Sequence, residues 1–325
     1  MPNNVIQFQS HLAPIIKKFI EERRACGYKY LEGALMLRRF DRFLSGKVLI
    51  PNELPKSIVL QWLVKQVHES GATHKHRISA VRQLAIFMVK LGYVAYVPPD
   101  KLGTKTRSSF SPRILTYAEI QKILQAVDQL RPSPTAPMKH IIMPELFRLL
   151  YYCGFRIGEL LNLRVQDVDF SQGAITVING KFGKDRLVPP SIMLMKRLQA
   201  YAAHLEDRSP VAYFFPSPSN GPWSHEAIYQ LFRKLILQCG ISHGGRGKGP
   251  RVHDIRHAFC VHAILRWCRE GADLNTKLSL LATYLGHQNL TGTQKYLHFT
   301  AELFPDLVLR MDSNFGDVIP RRVQK

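Results

Sequence analysis

The sequence predicts a mainly helical α+β protein with one small β-hairpin, arranged as two domains. Apolar residues recur at helical spacing through 10–92 and again through most of 116–311. Residues 174–178 alternate in a strand-like way, Asn179-Gly180 follows as a turn signal, and Arg186-Leu187-Val188 resumes an extended pattern. Between the two helical regions, residues 96–113 (YVPPDKLGTKTRSSFSPR) are rich in Pro, Gly, Ser and basic side chains and have no apolar period, as a linker would. The expected organisation is a helical domain over 8–95, a basic linker over 96–113, a larger domain over 114–311 and a polar, basic tail over 312–325.

Four amphipathic helices are expected in the first domain. Leu12, Ile15, Ile16, Phe19 and Ile20 form one stripe, with Gly27 where a C-terminal cap belongs. Leu31, Ala34, Leu35, Phe40, Phe43 and Leu44 form the second, Ile58, Val59, Trp62, Leu63 and Val67 the third. Ile78, Val81, Leu84, Ala85, Met88 and Leu91 form the fourth, which stops at Gly92. In the second domain Thr116 and Glu119 make a T-x-x-E capping box ahead of Ile120, Ile123, Leu124 and Val127. A Pro-rich loop at 132–137 leads to a helix near 140–152 that ends at Gly154. Arg156 then opens another helix with the stripe Ile157, Leu160, Leu161 and Val165. After the hairpin the chain is expected to be helical, broken by loops at 207–225 and 240–252.

Charge narrows the function. Forty-five Lys and Arg against 24 Asp and Glu give a formal +21 over 325 residues, with pI near 10.0. The first 110 residues carry 18 basic and 7 acidic side chains, the rest 27 and 17, so the excess is not confined to a tail. A globular chain this basic most often meets a polyanion, because each neutralised phosphate releases counterions. No apolar run approaches the roughly 18 residues a membrane span needs, and MPNNVIQFQSHLAP lacks a signal-peptide layout. Five scattered cysteines without a C-x-x-C pair argue against a disulfide frame or zinc knuckle and fit reduced thiols in a cytoplasm. Lys75, Arg77 and Arg82 beside the fourth stripe are candidate DNA contacts. Solvated helix faces carry the same pattern.

Four segments hold the candidate chemistry. The loop GISHGGRGKGPR (240–251) is not a Walker loop, since no Lys-Ser/Thr follows its glycines; Arg246 and Lys248 suit a phosphate backbone or an ordinary surface loop. His253 and Arg256, three apart at a helix start, share a face: the guanidinium offers a fork to two phosphate oxygens and the imidazole exchanges a proton near pH 7. Taken alone, H-x-x-R equally describes a helix start with polar caps, and His257 reads as a buried structural histidine. His287 precedes Tyr296 by nine residues, and a phenol there is either a nucleophile for phosphorus or an aromatic core residue. Arg156 opens its helix half inward, which is costly without an anionic partner; Glu159 lies three residues on.

In order along the chain stand G-F-R-I-G-E-L-L-N-L (154–163), G-K-x-x-K-x-R (180–186), H-x-x-R-H-A-F (253–259) and L-G-H-x-N-L-x-x-T-x-x-Y (285–296). Together they closely resemble the tyrosine recombinase, or phage integrase, family, over residues 10–311. The resemblance implies a helical, SAM-like core-binding domain followed by a mixed, mostly helical catalytic domain of the integrase type. It implies that Arg156, Lys181, His253, Arg256 and His287 act on a DNA phosphate with Tyr296 as nucleophile, Lys184 being the rival of Lys181 in the hairpin turn and a further DNA contact. Arg156 and Arg256 would stabilise charge on the phosphate, Lys181 protonate the leaving oxygen, His253 assist proton transfer at Tyr296, and His287 hold a phosphate oxygen. Gly292 departs from the family, which often has Ser or Thr there. No metal, ATP or other cofactor is implied. The implied partners are duplex DNA bearing a specific recombination site, three further copies of the chain in a homotetramer on two duplexes, and accessory recombinases or DNA-bending proteins, on a bacterial nucleoid and without a membrane. The implied role is integration or transposition of a mobile element; a type IB topoisomerase and an inactive DNA-binding regulator are the alternatives. Leu303, Phe304, Leu307, Val308 and Met311 repeat at helical spacing after the tyrosine and are expected to pack on the chain's own core or on a neighbouring copy.

Overall fold

The computed structural model describes residues 7–47, 50–102, 112–178, 185–245, 249–287, 293 and 296. The chain divides into two compact units, Met1–Phe110 and Ser111–Lys325. Lys181, Lys184, Arg246, Lys248, the stripe over 303–311 and the tail over 312–325 lie outside the described residues.

The first unit contains helices α1 (Ala13–Ala25), α2 (Leu31–Leu44), α3 (Lys56–Leu63) and α4 (Gly71–Lys90). Ile16, Phe19, Leu37, Phe40, Val59, Val81, Leu84 and Met88 meet in one buried core, as the apolar spacing requires. Asp41, buried on α2, accepts the Gln9 N–H (2.7 Å), the Ser10 N–H (3.0 Å) and the Ser10 hydroxyl (2.5 Å), and so anchors the chain entering α1. Tyr96, Val97 and Leu102 also pack on this core, so the first part of the Pro-rich segment is held to the helical unit.

Two expectations for this unit are corrected. The third helix stops at Leu63, and Val67 is 93% exposed rather than part of its stripe. Arg77, expected among the DNA contacts, is buried and committed to the protein. Its Nη1 donates to the Trp62 carbonyl (2.7 Å), while Nη2 donates to the Val64 carbonyl (2.8 Å) and Glu69 (2.7 Å). Arg77 therefore takes up carbonyls at the end of α3, which a helix C-terminus leaves without intrahelical donors. Arg82 donates to the Pro98 carbonyl and lies 3.4 Å from Asp100, whereas Lys75 is exposed.

The second unit contains α5 (Tyr117–Asp128), α6 (Lys139–Tyr152), α7 (Ile157–Leu161), α8 (Ile192–Ala202), α9 (His225–Gln238), α10 (Val252–Glu270) and α11 (Leu274–Leu285). A three-stranded antiparallel sheet joins β1 (Val168–Asp169), β2 (Ala174–Val177) and β3 (Arg186–Val188) in that order. Ile175 faces Val188 and Val177 faces Arg186, so the buried positions fall on one side. The Thr116–Glu119 capping box forms as expected. The helix opened by Arg156 is shorter than its stripe suggests: it ends at Leu161, and Val165 begins a separate 3₁₀ turn. Helix α10 packs on α6, α9 and α11, and β3 packs on α11. Among the described residues no helix is long and apolar enough to cross a membrane.

Candidate active site

The C-terminal turn of α11 organises the site. A helix end leaves its last carbonyls without intrahelical donors and carries partial negative charge. Three consecutive carbonyls here each take one arginine from a different element. The Tyr284 carbonyl accepts Arg186 Nε of β3 (3.0 Å), the Leu285 carbonyl accepts Arg256 Nη2 of α10 (2.8 Å), and the Gly286 carbonyl accepts Arg156 Nη2 from the start of α7 (3.5 Å). Gly286 ends the helix at φ +66°, and a Cβ there would press within 3.2 Å of the Arg186 side chain.

One carboxylate serves two of these guanidiniums. Glu159 Oε1 accepts Arg156 Nη1 (2.7 Å) and Arg186 Nη1 (2.9 Å), and Oε2 accepts Arg186 Nη2 (2.8 Å) and the Arg156 N–H (2.9 Å). Burial works against ionisation of Glu159, but the fork of Arg186 and the bonds from Arg156 outweigh it and hold its carboxyl at about 2. Arg256 is only 1% exposed, and among the described residues it forms no ion pair. Its Nη1 donates to the Gly154 carbonyl, and Gly154 is required there: φ is +60°, and a Cβ would meet the Phe259 ring at 2.5 Å. Burial and the neighbouring Arg156 lower the Arg256 guanidinium to about 10, which leaves it charged at neutral pH. Three arginines against one carboxylate make a partly buried excess of positive charge, the electrostatic form of an anion site.

The remaining groups border this charge. His287 Nε2 accepts Arg256 Nη2 at 3.3 Å, so its other nitrogen carries the proton and Nδ1 donates to the Thr293 hydroxyl at 2.8 Å. Tyr296 is 5% exposed and packs with Cys260, Val261, Ile264 and Leu285, its ring centroid 6.3 Å from that of His287. Burial and the neighbouring Cys260 push its phenol above the ordinary range, while Arg256 and Arg156 draw it back. His257 Nδ1 lies 3.0 Å from the Tyr296 hydroxyl, and the His253 ring stands edge-on to His257 with centroids 4.7 Å apart. His253 also lines an open cleft with Ile157, His225, Tyr229, His243 and Arg251. Among the described residues no group of three His, Cys, Asp or Glu side chains is placed to hold a metal ion.

Residues 113–302, more than half of the chain, match the family model for the phage integrase family. The chain belongs to that family. A Sinorhizobium fredii chain designated integrase/recombinase y4rB is 28% identical over 310 residues, covering 93% of this chain and 97% of its own length. Tyrosine recombinase XerA of Thermococcus onnurineus is 30% identical over 262 residues, covering 80% and 82%. Among solved structures, XerH site-specific recombinase bound to palindromic difH substrate has a TM-score of 0.61 at 20% identity, covering 85% of this chain and 77% of its own. A lambda integrase dimer bound to a COC′ core site has a TM-score of 0.59 at 18% identity, covering 86% and 96%. The integrase-type fold and the enzyme type, a tyrosine-type site-specific recombinase, follow from this membership.

Within this integrase-family chain the structure brings together Arg156, Arg256, His287 and Tyr296, with His253 one ring away on α10. Sequence reasoning passed over Arg186 as a site residue, although it closes the G-K-x-x-K-x-R motif; it lies on the far strand of the hairpin, and only the sheet register carries it to Glu159. His257, read from the sequence as a buried structural histidine, is half-buried with Nδ1 3.0 Å from the Tyr296 hydroxyl.

Proposed function

We propose that this recombinase cuts and rejoins duplex DNA at a specific site through a 3′-phosphotyrosine on Tyr296. The observation that carries the reading is the meeting of Arg156 and Arg256 on consecutive carbonyls at the end of α11, with His287 and Tyr296 against them. A phosphodiester seated on the two guanidiniums has its developing charge met by donors already in position. Tyr296 Oη attacks phosphorus, the bond to the 5′ oxygen breaks, and Lys181 of the hairpin protonates that oxygen, Lys184 being its rival. A 5′-hydroxyl from the partner duplex then attacks the phosphotyrosine and releases the phenol, so bond energy is conserved and neither ATP nor a metal is consumed. His253 assists proton transfer to or from Tyr296, and His287 holds a phosphate oxygen.

Residues 8–95 serve as the core-binding domain and 114–311 as the catalytic domain, joined by 96–113. Lys75, Arg82, Lys184, Arg246 and Lys248 contribute backbone contacts. Four copies act on two duplexes, with accessory recombinases or DNA-bending proteins, in the cytoplasm at the nucleoid. Integration or transposition of a mobile element is the favoured role, supported by the fold shared with the Tn1549 transposon integrase (TM-score 0.61, 18% identity) and by the relative designated integrase/recombinase. The test is a suicide-substrate library incubated with the chain. Covalently trapped DNA of one recurring sequence is expected, and relaxation of plasmid without site preference would instead mark a topoisomerase.

A further inference from the structure

Tyr296 must lose a proton to attack, and its surroundings raise the energy of the phenolate in the resting protein. The nitrogen at its hydroxyl is Nδ1 of His257, at 3.0 Å. The other ring nitrogen, Nε2, is 4.0 Å from Oδ1 of Asp254, one helical turn earlier on α10. Asp254 is 1% exposed; its Oδ2 accepts the Arg251 N–H (2.8 Å), whereas Oδ1 has no hydrogen-bond partner among the described residues. A buried carboxylate oxygen without a donor, facing an imidazole nitrogen, favours the tautomer that carries its proton on that nitrogen. The lone pair then sits on Nδ1 and faces the phenol.

We propose that His257, with its tautomer set by Asp254, accepts the phenolic proton of Tyr296 during DNA cleavage. This rests on the phosphotyrosine reading above and deepens it. The Oη–H bond breaks as the proton passes to Nδ1, the Oη electron pair forms the bond to phosphorus, and the bond to the 5′ oxygen breaks. At rejoining, Nδ1–H returns its proton to Oη as the tyrosine leaves. His257 is the catalytic residue here and Asp254 its positioning residue.

The charges around His257 explain why the resting enzyme does not spend this proton. Burial, and then His253, Arg256 and His287, hold the imidazole down to about 3, so it stays neutral and a poor base. Asp254, whose carboxyl burial raises to about 6, stands 4.0 Å from Nε2 on the same helix. A phosphodiester on Arg156 and Arg256 brings negative charge into this cluster and strengthens His257 as a base at the moment the nucleophile is needed.

The test measures single-turnover adduct formation on a suicide DNA substrate from pH 6 to 10, with binding of the same duplex by mobility shift. His257→Gln keeps a polar group at the phenol but cannot take its proton. Expected are unchanged binding, cleavage at least tenfold slower at pH 7, and a rate that then climbs by about tenfold per pH unit as hydroxide substitutes for the missing base. Asp254→Asn is expected to give a smaller loss with the same slope. Replacing Tyr296 by a fluorinated, more acidic tyrosine shrinks the His257→Gln defect, an effect no packing role produces. Wild-type cleavage by His257→Gln, or a loss independent of both pH and phenol acidity, overturns the proposal. If His257→Gln fails to bind DNA, His257→Asn decides by the same criteria. Failure of the underlying reading shows separately, as an adduct that survives Tyr296→Phe or a wild-type chain that forms none.

Discussion

Arg186 of β3 closes a two-bonded ion pair on Glu159 of α7, at 2.9 and 2.8 Å, across 27 residues of sequence. The same guanidinium binds the Tyr284 carbonyl, so one side chain ties the sheet, the helix that begins at Arg156, and the end of α11. The geometry of Arg156 depends on this frame, because Glu159 holds both arginines at once.

Removing that frame is expected to misplace Arg156 without touching DNA. Arg186→Ala leaves Glu159 with one guanidinium and should slow cleavage on the order of 10-fold or more, with binding nearly unchanged, because misorientation of a positioning group is costly in rate. Single-turnover cleavage beside a binding isotherm checks it; equal losses in both would point to contact with DNA instead.

The Glu159 pair also sets an acid limit. Its carboxyl is held at about 2 when folded, against an ordinary value of 4.5, so its stabilisation is complete above 4.5 and is lost as pH falls from there towards about 2. Thermal melting between pH 7 and pH 3 should show a decline that is shallower in Glu159→Gln, which starts from a lower melting temperature.

Arg256→Ala and Arg156→Ala are expected to reduce cleavage by about 10²–10³ while weakening binding far less. Overall affinity is shared among many basic side chains, whereas these two meet the charge that develops at one phosphate. Arg256→Ala also leaves the Gly154 and Leu285 carbonyls without their donor, so its melting temperature should fall more than that of Arg156→Ala. Adduct yields and melting curves together separate the two effects.

Tyr296→Phe is expected to abolish the covalent adduct and to keep site binding, since only the phenolic oxygen is lost. Denaturing gels read this directly. Tyr284, whose carbonyl serves Arg186 and whose phenol burial raises, should not substitute for it.

Arg77 and Lys75, two residues apart on α4, should part company. Arg77→Ala breaks a buried pair with Glu69 and is expected to cost about 3 kcal/mol of stability in the helical unit, with the salt dependence of DNA binding unchanged. Lys75→Ala, on the exposed face, should leave stability alone and reduce the salt slope by about one. Denaturant melts and binding at several salt concentrations measure both.

Local chemistry was legible in the sequence. Apolar spacing marked the helices, Thr116 and Glu119 marked a helix start, and the four ordered motifs carried the family and named Arg156, His253, Arg256, His287 and Tyr296 as candidates, because each of these signals acts within a few residues. Tertiary structure decided what long-range packing controls. Residues 156, 186 and 256 meet only because β3, α7 and α10 all reach the end of α11, where three carbonyls lack helical partners. Arg77 looked like a surface cation, yet it turned inward because the end of α3 left carbonyls that needed a donor. His257 looked like core, yet the position of Tyr296, 39 residues away, put its nitrogen on the phenol. Spacing along one helix tells which side chains share a face; which element covers that face is settled by packing between segments far apart in the chain.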